Sequence, residues 1–171
     1  ISLGYQHREV ERALLGGPHR RSLAQIQTVA GDTTVAHTTA YASLLEGLSG
    51  SQVSARAHAI RGIALELERL ANHVGDLGAL ANDVGFLPTA AFSGRLRGDL
   101  LNMTALLCGN RFSRGLIRVG GVGMDLEPER ARELASRLTE TQSDVENAIQ
   151  LLWETPSVLA RFEGTGAITT E

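Results

Sequence analysis

The sequence predicts a mainly α-helical bundle built around one long central helix. Three observations predict it. Residues 55–85, ARAHAIRGIALELERLANHVGDLGALANDVG, carry apolar residues with helical periodicity over roughly eight turns. The chain is 43% hydrophobic but only 4% aromatic, so Leu, Val, Ile and Ala must fill the core, which suits helix-on-helix packing. Gly and Pro clusters divide the remainder into helix-length segments, and only residues 114–123 suggest a short strand or hairpin.

Leu3 to Leu15 reads as a first helix with Val10, Leu14 and Tyr5 inward, broken by Gly16, Gly17 and Pro18. Ser22 to Ala30 reads as a second, with Leu23, Ile26 and Val29 on one face. Thr33 to Leu48 is the third, carrying Val35, Ala36, Thr39, Ala40, Leu44 and Leu48. Gly50 and Ser51 turn the chain into the central helix, capped by Ser54 and ended by Gly85 with Pro88.

At 100° per residue, Ile60, Ile63, Ala64, Leu67, Leu70, Ala71, Val74, Leu77, Gly78 and Ala81 share one broad face of the central helix. Its small residues admit a close neighbour. A second stripe, Glu66, Arg69, His73 and Asp76, with Asp83 at its far end, runs along the edge of that face. It reads either as a solvated flank with intrahelical ion pairs or as an acid–base site. Asp83 faces the negative end of the helix macrodipole, so it calls for a cationic partner from another segment.

A further helix runs from about Ala90 to Cys108, stopped by Gly109 and Asn110. Leu116, Ile117 and Val119 precede Gly120, Gly121 and Gly123. Those glycines lack the Lys-Ser/Thr of a phosphate loop. Asp125 and Pro128 open a long helix over about Glu129 to Thr155, with Leu134, Leu138, Val145, Ile149 and Leu152 inward. Pro156 ends it before a short helix over Ser157 to Phe162. The whole of 1–171 reads as a single helical domain.

Net charge is −3, which gives no broad basic surface for nucleic acid, and every basic residue is Arg. Lone Cys108 excludes an internal disulfide and a Cys-only metal site; it reads as a buried small apolar residue. No apolar run reaches the length of a membrane span, and no signal sequence is visible. The chain opens on Ile and stops after a Gly/Thr-rich stretch, and so reads as a segment of a longer protein.

Four stretches carry a resemblance: LGYQHREVE (3–11), VAGDTTVAHTTAYASLLE (29–46), ELERLANHVGDLGALANDVGF (66–86) and GNRFSRGLIRVGGV (109–122). In order and spacing they resemble the large-subunit family shared by membrane-bound nickel–iron hydrogenases and the 49 kDa subunit of respiratory complex I, the NADH dehydrogenase that reduces quinone. The resemblance covers the central helical part of that subunit. It implies a peripheral subunit on the cytoplasmic face of a membrane complex, packed against an iron–sulfur protein and membrane subunits. Its work would be to shape the site where electrons from the terminal cluster reach quinone or protons, with NAD handled only by other subunits. The alternative is a non-catalytic structural subunit of such a complex.

Carried over residue by residue, the resemblance shows substitutions. The hydrogenases' first C-x-x-C motif falls at Ala30 and Thr33, so nickel, which is held by soft thiolates, is not expected, and neither is any other metal. The complex I quinone-contacting Tyr falls at Gly31, and its partner His falls upstream of Ile1. An Arg and a His near the terminal cluster fall at Thr28 and Ser113. Asp83 matches the carboxylate that pairs with the quinone-site His. Glu66, Arg69 and His73 match the family's polar helix stripe, His37 ends its A-H pair, and Glu11 matches a proton-relay Glu, although Glu9 replaces the Gly before it. Asp83, His37 and Glu11 are thus the implied catalytic residues. Arg111, Ser113, Arg114 and Arg118 form the loop implied to face the partner and its cluster, although a basic loop of this kind can also be merely solvated.

Overall fold

The computed structural model describes residues 9–167. Seven helices and one two-stranded hairpin make up this part of the chain: α1 (Val10–Ala13), α2 (Ser22–Ile26), α3 (Thr34–Ser49), α4 (Ala55–Asp83), α5 (Leu87–Cys108), β1 (Ile117–Arg118), β2 (Gly121–Val122), α6 (Pro128–Trp153) and α7 (Pro156–Phe162). The architecture is the mainly helical bundle that the sequence predicts.

α4 is the axis. Ser54 Oγ accepts the Ala57 N–H at 3.2 Å, the expected N-cap, and Gly85 takes the left-handed conformation (φ 73°) that lets the chain leave the helix. Ile60, Ala64, Leu67, Ala71 and Val74 are buried against Leu96, Leu100, Met103 and Leu107 of α5, and α6 packs mainly on α5 and also reaches α4, so that Val74, Leu96 and Val145 of the three helices meet. Burying each such Leu contributes about 1.5–3 kcal/mol. The helices approach closely at Gly78, where an added Cβ would lie 2.9 Å from Ser93 Cβ. Ala81, Leu152 and Val158 form a second cluster where α7 folds back.

The hairpin pairs Ile117 with Val122 and Arg118 with Gly121, antiparallel, around a two-residue turn at Val119 and Gly120. Gly120 supplies its positive φ of 84°. Leu116 and Ile117 anchor the hairpin in the core.

Several local expectations are corrected. Pro88 does not close the central helix; it sits in the first turn of α5, where its missing N–H leaves no bond unmade. α2 is shorter than Ser22 to Ala30. On α3, Leu44 and Leu48 are 59% and 78% exposed, and the buried face is Thr34, Val35, Thr38, Ala42 and Glu46. That face is partly polar: Thr34 Oγ1 donates to the Gln27 carbonyl and Thr38 Oγ1 to the Thr34 carbonyl, while Glu46 is bonded from other elements. A search for apolar periodicity therefore selects the wrong side. Leu70 and Ile149 likewise lie at the edge of the core, not inside it. Of the first predicted helix, Val10–Ala13 is present with Val10 and Leu14 half-buried, while Leu3 and Tyr5 lie outside the described residues.

Candidate functional site

The first turn of a helix leaves backbone N–H groups without intrahelical partners. In α3 no side chain of its own caps them. Glu68, from the middle of α4, reaches across instead: Oε2 accepts the Val35 N–H at 2.6 Å and Oε1 the Ala36 N–H at 2.9 Å. The carboxylate also faces the positive end of the α3 macrodipole. Its burial nevertheless outweighs these two bonds and pushes its pKa above the usual carboxylate range; neighbouring His37 draws it down and Asp32 pushes it up.

The loop leading into α3 is fixed by the same two long helices. Asn72 Nδ2, one turn beyond Glu68, donates to the Asp32 carbonyl at 3.0 Å, and Arg97 of α5 donates to Asp32 Oδ1 at 2.9 Å. The opposite wall comes from the segment after α5. Asn110 Oδ1 accepts the N–H groups of Phe112 and Arg114, at 2.9 and 3.2 Å, and so folds the loop into a tight turn. Ser113 is held at φ 54°, 1% exposed, and its Oγ is buried without a partner. Asp32, Glu68, Arg97, Arg111 and Ser113 thus line one narrow cleft over an apolar floor of Val35 and Leu101.

The expected site residues separate into groups. His37 stands beside the cleft: its Nδ1 lies 2.9 Å from both the carbonyl oxygen and the Oγ1 of Thr33. A carbonyl only accepts, so in that bond Nδ1 is the donor. Glu66 and Arg69 are exposed and pair with each other, while His73 and Asp76 lie exposed further along α4. Asp83 is the last residue of α4 and exposed; no ion pair reaches it among the described residues, and Arg161 donates instead to the neighbouring Val84 carbonyl. Glu11 lies exposed on α1. Of the loop arginines, Arg111 borders the cleft and reaches over Gly98 of α5, Arg114 lies over the Phe112 ring, 6.0 Å from its centroid, and Arg118 folds across Gly123.

Sequence reasoning missed Glu68, Asn72, Arg97 and Asp32 as a set. Glu68 and Asn72 are four apart beside the apolar face, which is a legible spacing, but their partners lie 32 to 40 residues away, in the first turn of α3 and the loop before it.

The positions at which the family resemblance expects the hydrogenase cysteines do not fit nickel. Ala30 has no donor atom, and the Thr33 hydroxyl is a hard oxygen already engaged with His37.

Among known proteins, this chain is 35% identical over 140 residues to hydrogenase-4 component G of Escherichia coli, covering 82% of this chain and 25% of that protein. It is 32% identical over 169 residues to NADH-quinone oxidoreductase subunit 4 of Thermus thermophilus, covering 99% of this chain and 41% of the relative. Formate hydrogenlyase subunit 5 of Escherichia coli is 34% identical over 146 residues, with coverage of 84% and 25%. The chain therefore spans between a quarter and two-fifths of the length of these relatives. Residues 83–171, which include the Ser113 wall of the cleft, match the family described as respiratory-chain NADH dehydrogenase, 49 Kd subunit. With that match over half of its length, and with relatives of both the hydrogenase and quinone-oxidoreductase kinds aligned across more than four-fifths of it, the chain belongs to the family of the 49 kDa subunit of respiratory-chain NADH dehydrogenase.

Proposed function

We propose that this chain is the helical part of a large subunit in a membrane-associated electron-transfer complex. There it forms one wall of the site where electrons from a neighbouring iron–sulfur cluster meet quinone or protons. In this reading the chain binds no metal itself, the cluster belongs to an iron–sulfur subunit, and NAD is handled elsewhere in the complex. Membrane subunits complete the assembly, with this chain peripheral on its cytoplasmic side; among the described residues no helix is long and apolar enough to cross a membrane. Residues 1–171 act as one helical domain, the central part of the large polypeptide.

The observation that carries the reading is the cleft. The loop before α3 and the loop after α5 are far apart in sequence, and the family resemblance assigns chemistry to both. They converge on one cleft through Asp32, Arg97, Arg111 and Ser113. Arg111 and Arg114 stand exposed beside it, available for carboxylates on a partner. Positive charge there would also make an adjacent cluster easier to reduce.

A second reading, a subunit that keeps the fold and partner contacts without the chemistry, is favoured by the loop itself. Ala30, Gly31 and Thr33 replace the family's reactive residues, and Asp32 is tied to Arg97. One experiment addresses both. The chain, in its natural subunit, is co-expressed with the iron–sulfur partner, and Arg111 and Arg118 are replaced by Glu. Charge reversal at a desolvated contact should cost roughly 2–5 kcal/mol, so the complex should dissociate on a sizing column while each partner stays folded. Co-purification at wild-type yield would show that this loop is not the docking surface. Quinone-dependent oxidation of the reduced cluster in the wild-type complex supports the catalytic reading, and its absence the structural one.

A further inference from the structure

We propose that the cleft at the N-terminus of α3 is an internal water site, in which one water molecule bonds both Ser113 Oγ and the Glu68 carboxylate. Three features carry this. Ser113 is 1% exposed, and its hydroxyl has no partner. Leaving a buried hydroxyl unpaired is unfavourable, and the cost is not offset by comfortable backbone geometry, because φ 54° is a conformation that favours glycine. Glu68 has spare capacity: each carboxylate oxygen accepts one backbone N–H, whereas a carboxylate offers about four lone-pair positions. The cleft that both residues line is wide enough for a water molecule and narrow enough to exclude anything much larger. Thr104, on the same wall, donates its hydroxyl proton to the Leu100 carbonyl and keeps an acceptor position for a third bond. A buried water of this kind typically makes about three hydrogen bonds.

The water joins two segments that the protein chain does not. It ties the 110–116 turn to the carboxylate that caps α3, so the charge on Glu68 is felt at Ser113. It also lets Glu68 change protonation without α3 moving: the carboxylate takes a proton from the water as the water takes one from solvent at the cleft mouth. The charged groups around Glu68 are Asp32 from the loop, His37 from α3, Arg97 from α5 and Arg111 from the far wall. The inference stands on the geometry of the cleft alone, so it survives if the electron-transfer reading fails, and the reverse also holds.

The test has two arms. A high-resolution structure of the native subunit should show a water within hydrogen-bonding distance of Ser113 Oγ and one Glu68 oxygen. Ser113→Gly removes the hydroxyl and relaxes the positive φ, so the turn is retained. In that variant the infrared carboxylate band of Glu68, assigned by its loss in Glu68→Gln, should titrate at a pH higher by roughly half a unit or more, because the water loses its Ser113 anchor and the charged form loses the donor that the water supplied. A dry cleft, a water bonded to Ser113 but not to Glu68, or an unchanged midpoint would each overturn the proposal. The native structure decides alone if the variant does not fold.

Discussion

Arg61 of α4 holds both carboxylate oxygens of Glu46 of α3, at 3.1 and 2.6 Å, and the pair is almost wholly buried. Neither residue stops at the other. Arg61 also donates to the carbonyls of Arg118 and Gly121, at 2.7 and 2.9 Å, and Glu46 accepts the Gly120 N–H at 2.7 Å. Two helices thus grip both sides of the hairpin turn, and the hairpin in turn fixes the segment that carries Ser113. Removing one partner strands a buried charge. Arg61→Ala should therefore lose about 3–5 kcal/mol in denaturant unfolding, whereas an apolar replacement of both residues should lose much less. The guanidinium holds the Glu46 carboxyl below its usual range, opposed by burial and helped by the Gly120 N–H. A depressed carboxylate stabilises above the unfolded-state pKa of 4.5 and loses that contribution as pH falls through the lower folded value. An unfolding midpoint that Glu46→Gln leaves unchanged at neutral pH would contradict this clamp.

Glu68 has the opposite sign. Its folded pKa lies above 4.5 because burial dominates. Between the unfolded and folded values the native state binds more protons, so this group's contribution falls as pH rises through that window. Compared with Glu68→Gln, the wild type should lose relative stability as pH climbs above 4.5 and then level off. Glu68→Ala leaves the Val35 and Ala36 N–H groups uncapped and should cost about 1–2 kcal/mol, with the larger cost below that window. Parallel wild-type and Gln-variant stability curves would show that burial does not control this carboxyl.

The bundle, the central helix with its Ser54 cap, and the hairpin were legible in the sequence because each rests on local rules: periodicity, capping and glycine punctuation. The buried face of α3 was not. Thr34, Thr38 and Glu46 are buried because of what they bond, and no hydropathy pattern encodes a partner such as Arg61, fifteen residues away across a turn. The same limit hid the candidate site. The polar stripe Glu66, Arg69, His73 and Asp76 is conspicuous at helical spacing, yet it is exposed, whereas Glu68, which lies between its first two members, turns toward the cleft. Spacing reveals which residues share a face; it does not reveal which loop returns to meet them.

The contact between α4 and α5 gives a packing prediction. Gly78 faces Ser93 with no room for a methyl group, since an added Cβ would come to 2.9 Å from Ser93 Cβ and 3.5 Å from the Ala90 carbonyl oxygen. Gly78→Ala should push the helices apart and cost about 1–3 kcal/mol, despite the better helix propensity of Ala. Adding Ser93→Gly should restore part of the loss. Thermal unfolding of the single and double variants measures the coupling, and strict additivity would mean that the two residues do not limit the approach.

Glu9 connects a sequence departure to a backbone conformation. It stands where the family resemblance expects Gly, and it adopts φ 52° and ψ 34°, the left-handed region, just before α1. For a residue with a Cβ this conformation costs about 1–2 kcal/mol. Its ion pair with Arg12, at 3.6 Å between exposed side chains, offers little in return. Glu9→Gly removes the steric penalty but gives the unfolded chain more freedom, which offsets part of the gain. The net expectation is a stabilisation of roughly 0.5–1 kcal/mol, read as a raised midpoint in denaturant. Glu9→Ala separates the two contributions: it removes the carboxylate with its contacts but keeps the Cβ, so it should not reproduce the stabilisation of Glu9→Gly. If Ala stabilises as much as Gly, the carboxylate is the burden, and the left-handed backbone is not what favours glycine at this position.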